Sequence, residues 1–536
     1  MGWYVRALTL VLIATLISFP GWASQTETAG VFRYHIPAEP QSLDASRLTS
    51  TDASYFFNNI MRGLYSYSNQ TGLVAEGAKS CQFETPLRLI CVLDTNVRWS
   101  DGSKVVAEDY VRSFQRLVAV TGKNPSVELL KNVVGAMAIN SGKQQKLSEL
   151  GVRAVDSSHL RIDFEKPDPD FLFKLTASVL TPASPKAPTG KVLKRGEIDS
   201  LVFNGPYKVT AWTLGRRLHL ESNPYYTRGN AGRPPVEVLF IDDDQTALQL
   251  YDKRTLTFLR RLPTIFIPKY RDKPDFVQVP VARFDYVGFG DELRNQPDFR
   301  RALSLAADYR ELAKIYDALG IPGCPSLPEN MLDKERCVVF DLSAAQKAWA
   351  KVPSDLKTRH YKLAFSRLGG DDVKKGMEWF QAQWKKNLGL TIDLEQNEQG
   401  AYLEMLRTEP PAIFRKGIGL ERPTCLAALE NFAPGGSENF LKIEDPSYAG
   451  IVDQLRASSE ASPPEMGQNA RPGSKDKLEQ KRLCGAGVQW LTDRSLLIPL
   501  GRIHFTILAD PHFTGWTLNE MNQLDLSSLK YQPTSD

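Results

Sequence analysis

The stretch that most restricts how this chain can fold runs from Val277 to Tyr316, VQVPVARFDYVGFGDELRNQPDFRRALSLAADYRELAKIY. Its first part has the β-branched and aromatic content of a strand that ends at Gly288 and Gly290. Its second part reads as an amphipathic helix, with Phe299, Ala302, Leu303, Leu305, Ala306, Leu312, Ala313 and Ile315 at helical spacing. Pro297 and Asp298 mark the expected helix start, where an Asp carboxylate can cap free amides. One reading is a strand on which the chain leaves one lobe and a helix that begins another. An ordinary strand and helix inside one large domain fits the pattern equally. Length bears on the choice. At 536 residues the chain exceeds the roughly 250–300 residues at which single cores stop growing.

Composition excludes several classes. The formal charge is +4, with no dense Lys/Arg block, so the electrostatic footprint of a nucleic-acid binder is missing. Neither Cys-x-x-Cys nor His-Glu-x-x-His occurs among six Cys and six His, and no metal site or cofactor is expected. The histidines are His35, His159, His219, His360, His504 and His512, and none sits in a catalytic motif. No Gly-x-Ser-x-Gly elbow is present. Gly369-Gly370 and Gly435-Gly436 lack the Gly-Lys-Ser/Thr ending of a phosphate loop, so no enzyme is expected. Asp242, Asp243 and Asp244 lack calcium-ligand spacing and read as a helix entry.

Arg6 precedes the apolar run ALTLVLIATLISF, which Pro20 and Gly21 break. This predicts a secretory signal, residues 1–23, cleaved after Ala23. A membrane anchor is the competing reading, for which the run is short. No Cys follows the run to carry a lipid. Export permits disulfides. Cys81–Cys91, Cys324–Cys337 and Cys425–Cys484 pair the six cysteines without crossing, and the first pair would staple two hairpin strands.

Several motifs carry a resemblance. They are Glu39-Pro40-x-x-Leu43-Asp44, Arg62-Gly63-Leu64-Tyr65, Val74–Ala78 (VAEGA) and, most specific, Val97–Tyr110 (VRWSDGSKVVAEDY). In the last, Gly102 permits a turn, Trp99 can pack a core and the Asp101 carboxylate can bond nearby amides. Further along, Asn204-Gly205-Pro206-Tyr207 opens a second signature that closes on His219–Tyr226 (HLESNPYY). With these motifs the chain resembles the family 5 substrate-binding proteins of ABC importers, the group of oligopeptide- and dipeptide-binding proteins.

The resemblance implies an α/β fold of the two-lobed periplasmic binding protein class. It is the large type, with an extra subdomain in the first lobe and the ligand cleft between lobes. It divides the chain into a first lobe, 24–276, with the extra subdomain at about 45–185, and a second lobe, 277–494. The chain would then return to the first lobe over 495–536. Ser458–Arg482, rich in Pro, Gly and Ser, is expected as a polar, mobile insertion in the second lobe, becoming helical from about Leu478.

In peptide-binding members an Arg-x-Gly-Trp-x-x-Asp pattern holds the peptide ends. Arg415, Gly417, Ile418 and Glu421 occupy those positions here. Arg and Gly match; Trp is replaced by Ile418 and Asp by Glu421, which keeps the charge on a longer arm. Glu421 has three possible roles: an ammonium contact, an ion-pair partner of adjacent Arg422, or a solvated side chain. The implied role is a monomeric periplasmic receptor that hands short peptides to an inner-membrane ABC permease and its ATPase. Alternatives within the same fold are a chemosensory or signalling receptor, or an importer receptor for a nickel complex, haem, opine or sugar.

Overall fold

A computed structural model describes residues 30–533, apart from 41, 49–50, 120–124, 145, 187–197, 199–200, 230–231, 316–318, 326, 328–330, 335–336, 368–369, 421, 437 and 462–474. The expected signal segment lies outside the described residues. Among those described, no helix is long and apolar enough to cross a membrane.

Two mixed sheets frame the molecule. In the first, strand Phe32–Ile36 lies between Val236–Phe240 and Phe258–Leu259 and runs parallel to both. Tyr207–Thr213 and Arg217–Ser222 extend one side; Gly501–Ala509 and Phe276–Pro280 extend the other. The second sheet has the order Ile392–Asn397, Tyr361–Ser366, Ile413–Gly419, Arg283–Phe289, Leu497–Pro499. A separate antiparallel sheet, built from Ala78–Thr85, Arg88–Leu93, His159–Asp163 and Val152–Asp156, forms the extra subdomain. Its apolar face merges with the core of the first sheet, through Leu89, Leu160 and Ile162. The second sheet carries a core on each face, one around Phe284, Phe414 and Phe432, the other around Phe289, Leu363 and Trp384. This is the two-lobed α/β arrangement expected.

The Val277–Tyr316 stretch differs from its sequence reading in detail. It forms two strands, Phe276–Pro280 in the first sheet and Arg283–Phe289 in the second, and the chain crosses at Val281–Ala282. It crosses back between Leu497–Pro499 and Gly501–Ala509, where Gly501 has φ of +153°, a conformation that a side chain disfavours. A short helix, Asp291–Arg294, precedes the expected single helix, which divides into two, Pro297–Leu305 and Tyr309–Ile315. Asp308 breaks the last two, since its carboxylate accepts from the Arg310 amide at 3.2 Å and its carbonyl from the Glu311 amide. Asp298 is not the cap. Pro297 takes the first helical position and Asp298 the first turn, where its charge suits the helix dipole.

The family motifs turn out to clamp one another. Asn204 accepts from the Arg62 amide at 3.0 Å and donates to the Arg62 carbonyl at 2.8 Å. Asn223 donates to the Gly205 carbonyl at 2.9 Å, and the Gly205 amide donates to Ile60. A Cβ at Gly205 would stand 2.5 Å from the Ile60 carbonyl carbon and 2.8 Å from the Met61 nitrogen, both fixed backbone atoms. Gly205→Ala is therefore expected to lower stability by about 1–3 kcal/mol, as overpacking does, read as an earlier urea midpoint at unchanged slope.

In the Val97–Tyr110 motif, Trp99 is buried and donates to Asp109 at 3.2 Å, Gly102 has φ of +85°, and Asp101 accepts from the Ser103 amide at 2.9 Å. The acidic run also resolves as read. Asp243 caps helix Asp244–Asp252 by accepting from the Thr246 amide at 2.6 Å.

All three expected disulfides are formed: Cys81–Cys91, Cys324–Cys337 and Cys425–Cys484. Cys81 and Cys91 face each other directly in the strand register. The polar insertion is shorter than expected. Residues 458–461 continue helix Pro446–Ala461, and 475–482 begin helix Lys475–Asp493. The two pack together, with Gln480 donating to the Ser458 carbonyl at 3.2 Å, and 462–474 lie outside the described residues.

Candidate ligand cavity between the lobes

Strand Ile413–Gly419 positions the expected site residues, and its alternation sends them to different places. Arg415 is buried and its guanidinium grips Asp285, whose carboxylate is fully buried on strand Arg283–Phe289. Arg283 donates to the other Asp285 oxygen at 2.5 Å. Gly417 lies opposite Asp285 in the register, and a Cβ there would stand 2.6 Å from the Asp285 carboxylate. The glycine is thus required by the ion pair lying across it. The Arg415 carbonyl accepts from the Tyr402 hydroxyl at 2.6 Å, which fixes the strand from behind. Arg415 therefore belongs to the frame of the site. Ile418 packs into the core around Phe284 and Phe432 and also lines a cavity. Glu421 lies outside the described residues.

That cavity, of about 240 Å³, opens between the two lobes. The first lobe contributes Glu128, Lys131 and Lys174, and the second contributes Lys416–Gly419, Arg422, Glu430, Glu438 and the Pro434–Gly436 turn. Its wall is dominated by charged groups, mostly engaged with one another. Lys416 Nζ meets Glu438 at 2.7 Å and lies 5.4 Å from the centre of the Phe440 ring. Lys131 meets Glu128 at 3.4 Å.

One edge of the cavity joins the lobes directly. Arg422 Nε donates to Asp170 Oδ2 at 3.2 Å, and its Nη2 donates to Glu430. Thr424 donates its hydroxyl to the same Asp170 oxygen at 2.5 Å and accepts from the Ala427 amide at 3.2 Å, capping helix Cys425–Leu429. Next to it, Lys174 Nζ donates to Asp168 at 2.6 Å, and Asn132 donates to the same oxygen at 3.0 Å.

Burial shapes the charges here. It pushes the Asp170 carboxyl up, against the pull of Arg422 and the Thr424 hydroxyl. It pushes Lys174 down, against Asp168. Glu430 also feels burial, but the Arg422 guanidinium outweighs it and holds the carboxyl below its usual range. The polar groups are thus pre-paired in a cleft that can accept a charged, hydrogen-bonding solute.

Sequence reading missed Asp170, Lys174, Lys416, Glu430 and Glu438. The Asp168-Pro169-Asp170 turn before a Phe-rich helix carried the available signal. Its two acids flank a proline, and so many charges beside aromatic core residues need partners.

Comparison with known proteins agrees with this geometry. The profile of bacterial extracellular solute-binding proteins, family 5 middle, matches residues 73–439. The oligopeptide-binding protein OppA of Bacillus subtilis is 24% identical over 485 residues, covering 84% of this chain and 88% of that protein. A dipeptide-binding protein of Lactococcus lactis is 25% identical over 421 residues, covering 73% and 76%. The unliganded open form of the periplasmic murein tripeptide-binding protein MppA has the same fold, with a TM-score of 0.77 over 94% of this chain and 98% of that one at 20% identity. With two lobes, an extra subdomain and a charged cavity between them, the chain belongs to the family 5 bacterial extracellular solute-binding proteins, which are non-catalytic transport receptors.

Proposed function

We propose that this receptor captures short peptides in the periplasm and delivers them, as a monomer, to an inner-membrane ABC permease whose ATPase supplies the energy. The observation that carries the proposal is the cavity between the lobes, lined by Gly417 and Ile418 and walled by lysines, arginine and glutamates of both lobes. A peptide presents an ammonium, a carboxylate and backbone groups, and such a wall offers partners to each. The relatives named above as oligopeptide-, dipeptide- and murein tripeptide-binding proteins support the same class. Another relative is named a probable deoxycholate-binding periplasmic protein of Escherichia coli; a steroid acid brings a carboxylate but no ammonium for the glutamates of this wall.

In this proposal Glu421 receives the peptide ammonium. Gly417 and Ile418 form the wall beside it, and Arg415 holds the strand in place through Asp285. The lobes are taken to exchange at the two crossings, Val281–Ala282 and Leu500, a few residues beyond the 276/277 and 494/495 boundaries expected from sequence. The mature chain begins at Ser24 after cleavage following Ala23.

Titration calorimetry with tripeptides tests the reading. Glu421→Gln keeps the size and removes the charge, so peptides with free N-termini should weaken by about 2–5 kcal/mol where the pair is desolvated. N-acetylated peptides should bind poorly to the wild type and lose little further. Equal affinity of both proteins for a free-amine peptide would place Glu421 outside the site.

A further inference from the structure

We propose that Asp170 and Arg422, with Thr424, form a latch that holds the two lobes together before ligand arrives, making Arg422 a positioning residue for closure. The inference rests on reading the cavity as the solute site. Asp170 belongs to the first lobe, just ahead of helix Phe171–Lys174, and Arg422 and Thr424 follow strand Ile413–Gly419 of the second. They are 252 and 254 residues from Asp170 in sequence, so the lobes' approach alone brings them together.

Three features distinguish this contact from an incidental surface pair. The first is burial. Asp170 and Arg422 are 4% and 5% exposed, so in this arrangement each takes its hydrogen bonds from protein groups and not from bulk water. The second is geometry. The planar guanidinium spans an acid of each lobe, Asp170 on one side and Glu430 on the other, a use for which a lysine ammonium has no equivalent fork. The third is position. Arg422, Glu430 and Lys174 all line the cavity, and Lys174 is held by Asp168, two residues before the latch acid. A solute in the cavity therefore meets the groups that set the latch.

The lobes also touch elsewhere, where Thr264 donates to Asp372 and Arg261 lies 3.9 Å from the same carboxylate. The Arg261 side chain is 40% exposed, and such pairs are screened and weak. Of these two described contacts, the Asp170–Arg422 pair is the more deeply buried.

Small-angle scattering of the ligand-free mature protein is the direct test, with melting temperature as a control and tripeptide affinity as a second readout. Asp170→Asn should enlarge the ligand-free radius of gyration while leaving a cooperative melt. It should weaken a tripeptide that the wild type binds by on the order of tenfold, since fewer molecules are closed. Arg422→Lys should keep part of the compaction that Asp170→Asn loses, because the charge survives without the fork. If Asp170→Asn fails to fold, Thr424→Val removes one hydrogen bond to the same oxygen at unchanged charge, together with the helix cap on the Ala427 amide, whose cost the melting temperature reports. The variant should shift both readouts the same way by less. A ligand-free radius of gyration equal to the wild type's in the folded variant overturns the latch. This holds even if the wild type binds no peptide, an outcome that would sink the peptide reading alone.

Discussion

Asp285→Ala is expected to destabilise the protein by about 3–5 kcal/mol, the cost of leaving a buried charge without its partner. The Asp285 side chain is fully buried, and that of Arg415 is only 8% exposed. Arg283, a third exposed, can swing outward, so the stranded charge is that of Arg415. The effect should reach beyond the pair. Asp285 sits in the strand that joins the second sheet to the crossing at Val281–Ala282, and its carbonyl accepts from the Leu500 amide at 3.0 Å beside the return crossing. A double-mutant cycle with Arg415→Met separates the contributions, because removing both charges should recover much of the loss. A loss below about 1 kcal/mol in Asp285→Ala would mean the pair is solvated in solution.

The second large effect is expected at Trp384, in helix Gly370–Leu388. Its ring is fully buried against Phe380, at 5.0 Å between ring centres, and its indole N–H donates to the Leu303 carbonyl at 2.9 Å. This side chain pins the long helix to helix Pro297–Leu305 in the core around Phe289 and Leu363. Trp384→Ala should cost about 3–5 kcal/mol from lost burial and the cavity left behind. Trp384→Phe should cost less, since it fills most of the space and forfeits the hydrogen bond. Urea melts of the three proteins give the comparison. Because the residue is remote from the cavity, ligand affinity of the folded fraction should stay close to wild type, which separates a stability effect from a binding effect.

Much of the fold was legible because its signatures are local. Gly102 and Asp101 must make their turn whatever surrounds them, and Asp243 caps the helix that begins one residue later. What was not legible depends on pairs distant in sequence. The apolar positions run through Val277, Val279 and Val281 and then through Ala282, Phe284 and Tyr286, so the alternation changes phase where the strand changes sheets, a break that a reading of the stretch as one β-rich run passes over. The apolar spacing from Phe299 to Ile315 hides the interruption at Asp308, because a side chain that bonds its own backbone leaves the periodicity intact. Arg415 matched a ligand-binding pattern, yet its partner Asp285 lies 130 residues earlier and meets it only through strand register. The acids and lysines of the cavity wall come from both lobes in the same way. Residue identity announced a charged site at Arg415–Glu421, but tertiary packing decides which charges face the solute.

Native mass spectrometry of the mature protein, mixed with an equimolar set of two- to five-residue peptides in free and N-acetylated forms, tests the central claim most directly. The account predicts a one-to-one complex retaining free-amine peptides, with the acetylated forms left unbound. Retention of no peptide, or of both forms equally, would contradict a peptide receptor that reads the ammonium.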